Sequence, residues 1–254
     1  MKRALAALFV LATLTGTATG ADAIKEVRIC WEDGLKPPYL MRNAEGQVTG
    51  IAVDMLEDIF RRRAIKAHHV LRPWKRCLAE VESGEADLVP NASYRGERAR
   101  FALYSAPLYQ TNLVLFYVQK RFPETPRING IDDMRRYRFG GILGFNYDQY
   151  DGQLAIETSA TTRQGLLRML EADRFDFAIE QLESFRMMER RQEISLQGIS
   201  HVADPRSPTK DFHVLVSKRH PQASQLKQLL DEGIARQRQD NTGRRILDRY
   251  LGTN

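Results

Sequence analysis

Asn91, Ser93, Glu97 and Arg98 stand close together and carry the most telling chemistry in the chain. A short buried strand, Asp87 to Ala92, runs into a polar turn, Ser93 to Gly96, and Glu97 and Arg98 then open a short helix. A turn between the carboxyl end of a strand and the amino end of a helix leaves backbone N–H groups pointing outward, which favours an anionic ligand. An arginine in that first helical turn adds a planar, two-pronged donor suited to a carboxylate. It opposes the helix dipole, so helix stability does not explain it. Plainer readings compete. Arg98 could be a surface arginine paired with Glu97, and Asn91 and Ser93 could simply bond their own turn. Trp31 and Glu32 directly follow the first strand, and an indole beside charged residues is a candidate apolar wall for a polar ligand. On that ground Trp31 is preferred to Trp74, although a lone tryptophan more often packs in a core.

Other chemistries find no support. His68 and His69 are adjacent, so on a strand they face opposite ways, and His201, His213 and His220 are scattered without metal-ligand spacing. No Ser-His-Asp order, phosphate loop or zinc motif occurs. The expectation is a site with no metal, no cofactor and no catalytic residue.

The elements that must position these residues alternate. Strand Val27–Cys30, helix Ile51–Arg63, a strand near His68–Leu71, helix Trp74–Ser83 stopped by Gly84, and strand Asp87–Ala92 form a first α/β pattern. A second follows: strand Arg138–Ile142, the turn Leu143-Gly-Phe-Asn146, strand Ile156–Thr158, helix Thr162–Ala172 and strand Phe175–Ile179. A tail adds strand Phe212–Ser217 and helices from Pro221 to about Arg236 and Thr242 to Leu251. Such alternation predicts an α/β fold of mainly parallel sheets, with ligands at the carboxyl ends of the strands.

The segments Gly84-Glu-Ala-Asp87, Asn91-Ala-Ser93, Glu97-Arg98 and Tyr104-Ser-Ala-Pro-Leu-Tyr109 resemble those of family 3 periplasmic solute-binding proteins, which capture polar amino acids for ABC transporters. The likeness covers essentially the whole mature chain, strongly in the first half and more thinly in the second. It implies a two-lobed periplasmic-binding-protein fold of type II: residues 24–110 with 212–254 as lobe 1, and 111–211 as lobe 2. The implied hinge is two crossover segments near Gln110–Leu113 and Asp211–Val214. By the same likeness Arg98 holds a ligand carboxylate, Asn91 and Ser93 hold its backbone-like atoms, and Tyr39 is an aromatic residue near the cleft mouth. Gly144-Phe-Asn146-Tyr147 matches the turn that closes over the ligand, with Asn146 as a contact. Arg95 stands where most relatives carry threonine, and a second cation tilts the site toward a more acidic ligand. Trp74 lies in a Pro-Trp-Lys-Arg segment that marks a subgroup.

One departure stands out. Where amino-acid binders place an aspartate for the ligand ammonium, this chain carries Gln181, and a neutral amide cannot replace that charge. Glu180 or Glu183 could serve only after a shift of register. The implied function is reversible capture of a small amino acid or related carboxylate by hinge closure, with delivery to an ABC permease. A monomer is expected, without nucleic acid as partner. Two alternatives stay open: an enzyme on the same fold, resembling cyclohexadienyl dehydratase with Glu180 as general acid/base, and a ligand sensor partnering a membrane receptor.

The ends fit export. Lys2 and Arg3, the apolar run Ala4–Leu14 and the small-residue stretch Thr15–Ala23 read as a signal peptide over 1–23, cleaved after Gly20 or Ala23. The apolar run is too short to span a bilayer, and no cysteine sits where lipid attachment needs one. The periplasm is the expected compartment. The formal charge of +6 falls to +4 once Lys2 and Arg3 leave, which points away from nucleic acid. Cys30 and Cys77 reach an oxidising compartment, where a disulfide and two separately buried thiols are both open readings.

Overall fold

The computed structural model describes residues 23–252, so the leader expected over 1–23 lies, apart from Ala23, outside the described residues. Strand β1 (Glu26–Glu32) buries Val27, Ile29, Cys30 and Trp31, as a strand covered on both faces must. A loop leads to the small hairpin β2 (Met41–Arg42) and β3 (Val48–Thr49). Gly50 follows at φ 126°, where a side chain would run into the carbonyls of Pro38 and Tyr39. Helix α1 (Ile51–Arg61) turns Ile51, Ala52, Met55, Leu56, Ile59 and Phe60 inward, a stripe at helical spacing. Strand β4 (Lys66–Arg72) returns parallel to β1. Helix α2 (Trp74–Ser83) ends on Gly84 in the left-handed region. Strand β5 (Leu88–Ala92), buried throughout, pairs in parallel with the other edge of β1. The expected short helix after it is a tighter 3₁₀ turn, Gly96–Arg100, and β6 (Ala102–Tyr104) follows.

The chain then leaves along β7 (Tyr109–Val118), a long strand. After the single turn α3 (Ile131–Met134) come β8 (Phe139–Ile142) and β9 (Ile156–Ala160). Helix α4 (Arg163–Glu171) is capped by Thr162, whose Oγ1 accepts from the Gly165 N–H at 3.0 Å. Strand β10 (Phe177–Gln181), helix α5 (Leu182–Arg190) and β11 (Ile199–Ala203) complete this half. Strand β12 (Thr209–Ser217) brings the chain back, followed by α6 (Ala223–Gln239) and α7 (Thr242–Leu251).

The strands run in the order β4-β1-β5-β12-β7-β10-β8-β9, with β6 beside β12 and β11 beside β7. Pairs within the two α/β units are parallel: β4/β1, β1/β5, β10/β8 and β8/β9. The antiparallel pairs of this sheet all involve β7 or β12. The reason is connectivity, since one strand carries the chain out and the other carries it back. They meet from Phe212 opposite Tyr109 to Thr209 opposite Asn112, so the two crossovers form a single antiparallel ribbon.

Apolar packing divides at that ribbon. Val27, Ile29, Leu56 and Phe60 pack with Leu226, Leu230 and Ile246 of the returning tail. Phe116, Leu166, Leu170 and Phe185 form a core of their own. The fold is the two-lobed α/β type expected. Cys30 and Cys77 are joined, with Cα atoms 5.4 Å apart, which ties α2 to β1 and sets aside the reading of two separate thiols.

Candidate functional site

Strand ends from both lobes converge on a cavity of about 490 Å³. The loop after β1 contributes Glu32 and Lys36, and the turn after β5 contributes Ser93 and Arg98. From the other side come Phe145 and Asn146 after β8 and Arg163 after β9, while β12 adds Lys210 and Phe212. Ligand sites at carboxyl ends of parallel strands follow from the orientation of the backbone dipoles and loops there.

Arg98 is 7% exposed. Its Nη1 donates to the Ser93 carbonyl at 2.9 Å, and its guanidinium carbon lies 5.2 Å from the centre of the Trp74 ring. Burial lowers its pKa from the ordinary arginine value. Glu97 pairs with Arg95 at 3.7 Å, so the plain reading of Arg98 as a surface partner of Glu97 fails. Asn91 adopts φ 60°, and its Oδ1 accepts from the Tyr109 hydroxyl at 2.8 Å. The Asn91 Nδ2 and the Arg98 Nε have no hydrogen-bond partner in the protein.

The turn after β5 touches the opposite lobe. Asn146 Nδ2 donates to Ser93 Oγ at 3.0 Å and to the Tyr94 carbonyl at 3.2 Å. Arg95 reaches Asn146 Oδ1 at 3.4 Å and Asp148 Oδ1 at 3.2 Å. Arg163 Nη1 donates to the Leu35 carbonyl at 3.1 Å. Lys210 Nζ donates to the Asn146 carbonyl and, at 3.1 Å, to Gln149 Oε1. These bonds describe a closed cleft, with Ser93 and Asn146 meeting across it.

Arg98, Asn91, Ser93 and Asn146 therefore share one cavity, and the other expected residues do not line it. Trp31 is fully buried, donates from Nε1 to His69 Nδ1 at 2.8 Å and packs with Val27 and Ile29. Side-chain alternation along β1 sends residues 27, 29 and 31 into the core and Glu32 the other way. Trp74, passed over in its favour, is the tryptophan at the cavity. Tyr39 stacks on Tyr109 with ring centres 4.0 Å apart, and its hydroxyl donates to the Gln110 carbonyl at 3.3 Å, behind the wall.

Gln181 is fully buried, with its Oε1 accepting from the Ser184 hydroxyl at 3.2 Å. Glu180, 1% exposed, lies 3.2 Å from Arg163 Nε through its Oε2, while its Oε1 accepts from the Gln181 N–H at 2.8 Å. The Arg163–Glu180 contact is close but off-line for a hydrogen bond, which leaves both of those atoms unbonded. Glu183 is committed to Asn112, accepting from its backbone N–H at 3.0 Å and from its Nδ2. None of the three takes the place of the missing aspartate.

Sequence reasoning missed Lys36, Phe145, Arg163, Lys210 and Phe212. Lys36 is 2% exposed and its Nζ lies 3.1 Å above the centre of the Phe212 ring and 5.6 Å from that of Phe145. Burial drives its pKa well below the usual lysine value, against the pull of Glu32. Burial likewise raises the pKa of Glu32, against Lys36 and Arg163. Lys210 is lowered to about 8, chiefly by burial. A signal for Arg163 did exist. It is a basic residue opening a helix just after a strand, the same violation of dipole preference that singled out Arg98.

Among the described residues no group of three or more side chains could hold a metal ion, and no helix is long and apolar enough to cross a membrane.

Residues 27–253 match the model of the bacterial extracellular solute-binding proteins, family 3. The L-cystine-binding protein TcyJ of Escherichia coli (strain K12) is 26% identical over 119 residues, which is 46% of this chain and 44% of that protein. The alignment thus spans less than half the length of this curated relative. A histidine kinase sensor domain with similarity to periplasmic binding proteins superposes with a TM-score of 0.72 at 19% identity, covering 91% of this chain and 98% of that one. The GluR0 ligand-binding core in complex with L-glutamate gives 0.73 at 12% identity, covering 91% and 100%. At such identities these two likenesses speak for the fold alone.

Proposed function

The chain belongs to the bacterial extracellular solute-binding proteins of family 3, and from that premise we propose that it captures a small carboxylate-bearing solute, an amino acid or a related acid, without altering it. The observation that carries this reading is Arg98: buried at the cavity, cushioned by Trp74, with an Nε that no protein group satisfies. A planar donor pair facing a cavity between two lobes suits a carboxylate. Asn91, Ser93 and Asn146 are assigned to its remaining polar atoms. Lobe 1 is taken as residues 24–110 with 212–254 and lobe 2 as 111–211, swinging about Gln110–Leu113 and Asp211–Val214. Closure would trap the ligand and present a surface to the permease of an ABC importer, outside the cytoplasmic membrane, with the protein acting as a monomer.

Binding is favoured over turnover because Glu180, the carboxylate that the dehydratase-like alternative needs, does not line the cavity and is tied to Arg163 and to a backbone N–H. A melting screen over amino acids and small carboxylates is expected to find a ligand that stabilises by about 2.7 kcal/mol at 100 times its dissociation constant. Mass spectrometry after long incubation should return that ligand unchanged. Stabilisation by neutral sugars or metal ions alone would remove the assignment. Conversion that is lost in Glu180→Gln would replace capture by catalysis.

A further inference from the structure

Three buried or half-buried cations line the cavity without forming an ion pair within 4.0 Å among the described residues: Arg98, Lys36 and Lys210. Arg163 differs, since Glu180 stands beside it. Lys36 rests on aromatic faces, and Lys210 bonds only neutral oxygens of Asn146 and Gln149. Glu32 is the one unpaired carboxylate deep in the cavity, and it offsets the charge of Lys36 in part. Asp33 and Lys75 lie at the exposed mouth and offset each other. Arg98 and Lys210 leave the inner cavity positive whether or not Lys36 and Glu32, which burial pushes toward their neutral forms, carry charge. Holding unpaired cations out of water is costly, and an anion delivered between them relieves that cost.

We propose that the cleft contains a second acid subsite, formed by Lys210 with Lys36 around Phe145, and that its ligand carries two acid groups. The first is the carboxylate on Arg98, so this inference rests on the reading given above. The Phe145 ring centre lies 5.6 Å from Lys36 Nζ and 5.7 Å from Lys210 Nζ, so the ring supplies an apolar surface beside both against which a short aliphatic chain can lie. Lys36 also occupies the aromatic face of Phe212, where a ligand cation would otherwise gain from the ring, so basic ligands are excluded by repulsion. Among the described residues no second-lobe carboxylate lines the cavity to meet an ammonium group, which makes an amine dispensable in the ligand.

The test is calorimetric binding of the intact protein to the straight-chain diacids from malonate to adipate, each against its monoamide, and of L-glutamate against L-glutamine. Each pair differs only in one carboxylate. The diacid of matching length should bind about 30-fold or more tightly than its amide. Lys210→Met should cost the diacid far more affinity than its monoamide, so that the preference disappears. Binding of the diacid should also take up protons and weaken as pH rises through about 8, where Lys210 loses its charge under the attraction of Asp148 and Asp204 and the repulsion of Arg95 and Arg98. Equal binding of diacid and monoamide, or equal losses for both in Lys210→Met, overturns the second subsite. A monocarboxylate that binds where no diacid does overturns it as well and leaves the capture reading standing. If no acid binds at all, it is the capture reading that falls.

Discussion

Replacing Arg98 by alanine lowers affinity for the carboxylate ligand by about 30- to 5,000-fold, the equivalent of losing one partner of a buried charge pair. The ligand-free protein changes far less, by about 1 kcal/mol. The two effects separate because of what Arg98 touches. Without ligand it donates to the Ser93 carbonyl, lies over Trp74 and meets the Tyr104 side chain, and it forms no ion pair within 4.0 Å among the described residues. Losing these contacts is offset by removing a buried cation that Arg95 repels and that Tyr104 and Glu97 compensate only in part. With ligand bound, the same guanidinium is matched by a carboxylate shielded from water, and alanine leaves that carboxylate buried alone. Calorimetric titration together with ligand-free melting measures both quantities. Unchanged affinity with a large fall in apo stability would place the site elsewhere and make Arg98 a structural residue.

Breaking the Cys30–Cys77 link should cost about 4 kcal/mol, the loop-closure value for a bridge between residues 47 positions apart. That corresponds to a fall of about 10 °C in the melting temperature of a domain pair this size. Both sulfurs are fully buried, between the end of β1 and the second turn of α2. The consequence extends to the site, because α2 begins with Trp74, the ring beneath Arg98. Denaturant titration of the oxidised protein against a Cys30→Ala/Cys77→Ala double variant reads the cost. Equal stability, or two alkylatable thiols in natively exported protein, would contradict it.

Much of the fold could be read along the chain because local signals agreed with tertiary demands. The span Trp74–Ser83 with its Gly84 stop and the span Thr242–Leu251 match the observed helices end to end. Strand β7 escaped because it serves two environments. Its first half alternates buried and exposed residues along the crossover, and its second half is buried on both faces. Helix α5 was hidden for another reason: it follows β10 with no loop, so no turn residues separate the two periods.

The site divides along the same line. Arg98, Ser93 and Asn146 sit in turns next to strand ends and Asn91 at the end of β5 itself, where sequence order and spatial order coincide. Trp31 and Tyr39 were misjudged because aromatic type says nothing about which face of a strand or loop a side chain takes. Lys36 and Lys210 lie 174 positions apart in the sequence and become neighbours only through Phe145 and closure of the cleft. No local pattern encodes such a pair. Burial of a lysine is a tertiary event, visible once Phe212 and Phe145 are packed against it.

Capture of an acid by Arg98 is tested most directly by identifying what the cleft holds. The protein should be purified from its native compartment without unfolding, then denatured, and the released small molecules analysed by mass spectrometry beside the same preparation of Arg98→Ala. The expected result is a small unmodified acid released in near-stoichiometric amount from the parent and lost from the variant. Release of a neutral sugar or a cationic compound, or retention of the same acid by Arg98→Ala, would contradict it.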